Sequence, residues 1–137
     1  MRFLAVVVFI VLCSFSCPAQ ESQDYETCMG KATTQTAMNI CASQEAGRID
    51  AELDKVYRKL LSRSANQPEA VVKIKAAEKA WISYRDAYVA AMFPAEDKQA
   101  EYGSVYPMEV DHLRAKLAQQ HIEALRDLLE QSARVHE

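Results

Sequence analysis

MNICASQEAGRIDAELDKVYRKL, residues 38–60, is the stretch that decides the fold. Its apolar positions are Met38, Ala42, Ala46, Ile49, Leu53, Val56 and Leu60. They recur at spacings of 4, 4, 3, 4, 3 and 4, the period of an amphipathic helix rather than of a strand. Gly47 falls on the opposite, solvated side, where a glycine weakens a helix by about 1 kcal/mol without interrupting the stripe.

Working outward, the pattern predicts a helix from about Thr34 to Ser64. Asn66-Gln67-Pro68 then turns the chain, and Pro68 suits the first position of a second helix. That helix runs to about Phe93 and stops before Pro94. PAEDKQAEYGSVYP, residues 94–107, reads as the one substantial loop. Pro107 or Met108 opens a third helix that continues to Arg134, with an apolar set of Val110, Leu113, Leu117, Ala124, Leu125 and Leu128. No repeat, low-complexity tract or period-2 alternation interrupts this order. The expectation is an all-α fold, an up-down-up antiparallel three-helix bundle. Residues 20–33 read as a loose polar lead-in with one short turn around Tyr25 to Met29.

The N-terminus, MRFLAVVVFIVLCSFSCPAQ, has the form of a secretory signal peptide. Arg2 supplies the positive flank, Phe3 to Val11 the apolar core, and Cys17-Pro-Ala19 a small-x-small cleavage site. It is too short for a membrane span, and no second apolar run follows. Acylation at Cys17 is disfavoured by the bulky Phe15. The expected domain limits are therefore a signal peptide at 1–19 and one domain at 20–137. Loss of Arg2 leaves 15 basic against 19 acidic residues, a net charge of −4. That balance argues against nucleic acid, whose usual footprint is a basic patch, and is compatible with a cationic protein partner.

The expected exported chain keeps two cysteines, Cys28 and Cys41. An even pair in an exported protein reads most simply as a disulfide. Closing a loop of about 14 residues contributes about 3 kcal/mol of chain entropy. It would staple the lead-in to the first turns of the first helix. Zinc is disfavoured, because ligands at short regular spacing are lacking and the nearest histidine is His112.

The second helix carries EKAWISYRDAY, residues 78–88. At about 100° per residue, Ile74, Ala77, Tyr84, Tyr88 and Met92 fall within about 60° of Trp81. Glu78 and Arg85 fall inside the same stripe, with Asp86 at its rim. A guanidinium on a packing face needs partners, because an unpaired buried charge is strongly unfavourable. Glu78 and, from the first helix, Glu45, Asp50 and Glu52 are the candidates, with Asn39 and Tyr57 nearby, and Trp81 offers its ring face. Two readings stay open. One is a structural polar lock built from Asp50, Glu78, Trp81, Arg85 and Asp86. The other is an anchoring site for a partner.

TQTAMNICA (34–42), DAELDKVY (50–57) and AEKAWISYRDA (77–87), followed by GSVYP (103–107) and a Leu-rich third helix, resemble a family of small secreted bacterial domains. It is the lysozyme-inhibitor (LprI-like) family, and the resemblance covers nearly all of residues 25–129. Thr34, Gln35, Met38, Asn39 and Cys41 match its first motif. Asp50, Glu52, Leu53, Asp54 and Tyr57 match its second, with Asp54 in place of the usual Asn. Trp81, Tyr84, Arg85 and Asp86 match its third. The chain departs from the pattern where many members carry a second cysteine pair, having Val89 and Leu113 instead. It also has Glu78-Lys79 for the usual Gln-Arg, and His121 near the place of a late Arg. The resemblance implies a helical scaffold and a lysozyme as protein partner.

The residues themselves offer little for catalysis. A hydrolase needs a nucleophile beside a base, yet both cysteines are expected to be oxidised. His112 and His121 fall on opposite sides of the third helix, with His121 on its apolar face as a core histidine. Glu96-Asp97 lacks the hydrophobic setting that raises a carboxyl pKa, and no Gly-rich phosphate cradle exists. The expectation is a non-enzymatic protein without cofactor or metal. Its contact surface is expected on the 94–107 loop, through Glu96, Asp97, Glu101, Tyr102, Ser104 and Tyr106. The alternative is an interaction module of the cell envelope with a different protein partner.

Overall fold

Residues 22–134 are described by the structure, a computed structural model. The expected signal peptide, with Cys17, lies outside them. The elements in order are α1 (Gln23–Lys31), α2 (Gln35–Arg63), α3 (Pro68–Met92), α4 (Lys98–Tyr102), a 3₁₀ turn (Gly103–Val105) and α5 (Tyr106–Arg134). Among the described residues there is no strand. The fold is all-α.

Thr34 starts α2 because its Oγ1 accepts the Ala37 N–H at 3.2 Å, satisfying one of the donors that a helix leaves open at its first turn. Pro68 starts α3, where its missing N–H does no harm. The core is a seam between α2 and α5. Ala46, Ile49, Leu53, Val56 and Leu60 from α2 meet Ala115, Ala118, Ile122, Leu125 and Leu129 from α5. Ala118 is fully buried, which fits a point where the two backbones come closest.

Chain direction follows from cross-helix pairs. Gln35 reaches Met108 at one end of the seam, and Arg126 reaches Glu52 farther along. So α2 and α5 run parallel. Glu78 of α3 meets His121, while Val89 packs with Val110 and Leu117, so α3 is the antiparallel return stroke. The up-down-up order is as the pattern predicts.

Three expectations need correction. In α5, Ala124 and Leu128 are exposed, whereas Ala115, Ala118, Ile122 and Leu129 are buried. The reason is that α5 lies between two helices and needs two apolar faces, one toward α2 and one (Val110, Leu117) toward α3. The lead-in is not loose either, since α1 occupies most of it. Ser22 caps α1 by accepting the Tyr25 N–H at 3.2 Å. The 94–107 segment likewise contains α4 and the 3₁₀ turn rather than a plain loop.

Three links tie α1 down. Cys28 and Cys41 form a disulfide with Cα atoms 5.7 Å apart. Tyr25 is buried, and its hydroxyl lies 2.6 Å from His112 Nε2 on α5. The third link centres on Glu45, a buried carboxylate on α2. Arg48 donates to it twice, at 2.9 and 2.7 Å, and the Ser22 hydroxyl donates at 2.6 Å. The Arg48 guanidinium, with help from Ser22, holds the Glu45 carboxyl down at about 2 despite burial.

A folded-state value below the ordinary 4.5 means that the folded chain binds fewer protons near pH 3 than the unfolded one. The stabilisation is complete above about pH 5 and is lost as pH falls toward 2. It amounts to about 3 kcal/mol. Urea unfolding between pH 5 and pH 2 should show this loss, and Glu45→Gln should flatten it.

Candidate functional site

Two groups of polar and aromatic residues stand out, one along α3 and one at the end of the bundle. On α3, the Trp81 indole stacks on the His121 imidazole of α5, with centroids 4.1 Å apart and planes 5° from parallel. His121 Nε2–H donates to Glu78 Oε2 at 2.8 Å, and both side chains are largely shielded. Tyr57 of α2 packs beside them; burial first, then the Glu78 charge, pushes its hydroxyl above the usual phenol range. This clasp seats α3 against the α2–α5 seam.

Arg85 is placed differently from expectation. Its Nε and Nη2 both donate to Oδ1 of the adjacent Asp86 at 3.0 Å, and its guanidinium sits 5.3 Å over the Trp81 ring. None of Glu45, Asp50 and Glu52 serves it. Glu45 is taken by Arg48 and Ser22, and Glu52 by Lys55 and Arg126. Asp50 is exposed. Its nearest recorded influence is on Asp111, which burial chiefly, and the Asp50 charge less, hold above the usual carboxylate range. The structure therefore brings Glu78, Trp81, Arg85 and Asp86 together on one helix and leaves Asp50 apart. His121, read from sequence only as a core histidine, is the partner that Glu78 finds.

The seating of α3 also corrects its wheel. The side toward α5 runs through Val71, Ile74, Glu78, Trp81, Arg85 and Val89, all wholly or partly buried. Ala77, Tyr84, Tyr88 and Met92, expected inside, are exposed. Glu78 and Val89 set this rotation by taking up His121 and the Val110–Leu117 pair.

At the bundle end, Phe93 packs edge-on against both Tyr102 and Tyr106, with centroids 5.3 and 5.2 Å away. The Tyr102 hydroxyl accepts the Ala95 N–H at 3.2 Å. Asp97 caps α4 through the Ala100 N–H at 2.9 Å, and the Lys98 ammonium donates to the carbonyls of Phe93 and Ala95, just past the end of α3. Gly103 closes α4 at φ 68, a left-handed value suited to glycine. The Ser104 carbonyl accepts from Asn39 of α2 at 3.0 Å. So Asp97, Tyr102 and Tyr106 are committed to structure, and Ser104 is tied through its backbone. Glu96 and Glu101 project as exposed carboxylates.

A mixed-charge groove of about 490 Å³ runs along the other flank of α5, with Ile49 and Ile122 on its floor. Its arginines are already paired, Arg48 with Glu45 and Arg126 with Glu52 and Glu123. Among the described residues no group of His, Cys, Asp or Glu could hold a metal. None of their helices is long and apolar enough to cross a membrane.

A disulfide-stapled bundle with aromatic packing at one end is a small all-α domain. The profile of a protein family described as lysozyme inhibitor LprI matches residues 28–125, most of the chain. An uncharacterized protein of Rhizobium meliloti (strain 1021) is 33% identical over 141 residues, covering 95% of this chain and 97% of that one. No solved structure matches. The chain belongs to the LprI lysozyme-inhibitor family.

The clasp predicts an unequal mutational pattern. Trp81→Ala should destabilise by about 3 kcal/mol, since it empties the α3–α5 contact and frees His121. Arg85→Ala should cost under about 1 kcal/mol, because its ion pair is local and half open to water. Chemical denaturation of the two variants checks the order.

Proposed function

We propose that the protein is an exported binding protein that inhibits a lysozyme-type glycosidase by docking its acidic end, not by catalysis. The observation that carries the reading is the pairing of rigidity and charge at that end. Phe93, Tyr102 and Tyr106 pack against one another, and Glu96 and Glu101 extend from this base into solvent. Carboxylates on a fixed support lose little freedom on binding, which favours association with a cationic surface. Retaining glycosidases of the lysozyme type work through two carboxyl groups in an open cleft, so covering the cleft is sufficient to stop them. Family membership supports the inhibitor role, and the disulfide suits an oxidising compartment. The expected signal peptide at 1–19 would deliver the chain there.

Tyr102, Tyr106, Asp97 and Ser104 act in this reading as the frame, and Glu96 and Glu101 as the contacts. An envelope module with a different protein partner would use the same end, and one assay separates the two. The purified protein should slow lysis of cell-wall suspensions by at least one of a panel of lysozymes. Glu101→Lys should raise the half-inhibitory concentration roughly fivefold, and added salt should weaken inhibition in parallel. Absence of inhibition at micromolar excess across the panel would overturn the inhibitor reading.

A further inference from the structure

The short helix α1 occupies only the first part of a trough between α2 and α5. Ser22 bonds to Glu45 and Cys28 to Cys41, so α1 runs antiparallel to α2. Its Tyr25 hydroxyl reaches His112 of α5. Tyr25, Met29 and Ala32 pack on Cys41 and Ala42 of α2 and on Met108 of α5. Those three residues fall at i, i+4 and i+7, the row by which an amphipathic helix lies in a groove. The trough is therefore shaped to take a helix.

Beyond the Ser22 end of α1 the trough remains open among the described residues. Arg48, one turn past Glu45, and Lys116, one turn past His112, both line the groove of about 490 Å³. A second hollow of about 350 Å³ follows beside Lys59, Arg63 and Glu130, and the two share Arg126. From Arg48 to Arg63 the open track is about 22 Å long, room for a helix of about 15 residues. Ile49, Ile122 and Leu129 give it an apolar floor. Ion pairs hold Arg48 and Arg126 in place, so the walls stand before anything binds.

Charge selects the occupant. Lys59, Arg63 and Lys116 line the track, are exposed, and make no ion pair among the described residues. Against these three stands one unpaired carboxylate, Glu130, because Glu52 and Glu123 are taken by Arg126. The chain as a whole is acidic, so this excess of free cations is local to the track. We propose that the open α2–α5 track binds an amphipathic helix of a partner protein, acidic along its flanks and seated in line with α1. Its apolar row covers Ile49, Ile122 and Leu129. Its carboxylates meet Lys116 near one end and Lys59 and Arg63 near the other. The site is separate from the inhibitor reading, whose contacts are the carboxylates of Glu96 and Glu101.

Fluorescence anisotropy on the purified chain, expressed from its full-length gene, tests it. The probe is a labelled synthetic peptide of about 15 residues, with a leucine row at helical spacing and glutamates on both flanks. It should bind in the micromolar range and gain helix on binding. The same peptide with lysines for its glutamates should bind roughly tenfold more weakly. Lys116→Glu and Arg63→Glu should each weaken binding about fivefold. Lys73→Glu on α3, an equal change in net charge at another exposed site, should leave it unaltered. All three side chains are exposed, and unchanged circular dichroism of the variants verifies that the fold is kept. Absence of binding overturns the proposal, as when residues before Ser22 or a second copy fill the track. Equal binding of the lysine peptide, or equal weakening by Lys73→Glu, overturns it as well. So does equal binding of an oligogalacturonate of matching charge, which would make the track a site for any polyanion. Glu101→Lys should leave peptide binding intact, so the two readings fail separately.

Discussion

The stack of Trp81 on His121, held by the Glu78 carboxylate, is the contact on which the arrangement of this bundle depends. The α2–α5 seam buries most of the core by itself, so those two helices need no third to find one another. By contrast, α3 contributes a single buried residue, Val89. What fixes its rotation is a ring stack and one charge-assisted hydrogen bond, both strongly dependent on geometry. With the packing side of α3 centred near Arg85, Tyr84 and Tyr88 fall at its exposed rim.

The N-terminal half is held by a different logic. Glu45 collects Arg48 and Ser22, Tyr25 meets His112, and Cys28 is bonded to Cys41. These links attach a nine-residue helix that buries little apolar surface, and a short helix of that kind is marginal without tertiary support. The polar end at Glu96 and Glu101 is supported in turn by the Phe93, Tyr102 and Tyr106 rings. Each candidate surface thus rests on its own local support and can be altered without disturbing the seam.

Much of the fold could be read from periodicity. The α2 stripe from Ala42 to Leu60 is buried as its spacing implies, and Thr34 and Pro68 start helices where expected. Less legible was anything that depends on a helix having two neighbours. A single apolar face for α5 leaves out Ala115, Ala118 and Ile122 and wrongly includes Leu128, because the helix packs on two neighbours. A wheel for α3 centred on Trp81 takes in Ala77, Tyr84, Tyr88 and Met92, which are exposed, because the packing centre lies nearer Arg85. Arg48, three residues after Glu45 on the same helix, is a nearer donor to it than Arg85. Ser22, three residues before Tyr25, is the capping residue that marks the start of α1.

Native-state hydrogen exchange on the wild type and on His121→Ala tests the central claim most directly. The amides of α2 and α5 should exchange slowest in both proteins, through global unfolding. In His121→Ala the amides of α3 should exchange markedly faster while those of the seam keep most of their protection. Equal loss of protection in all three helices would contradict a clasp that seats α3 alone.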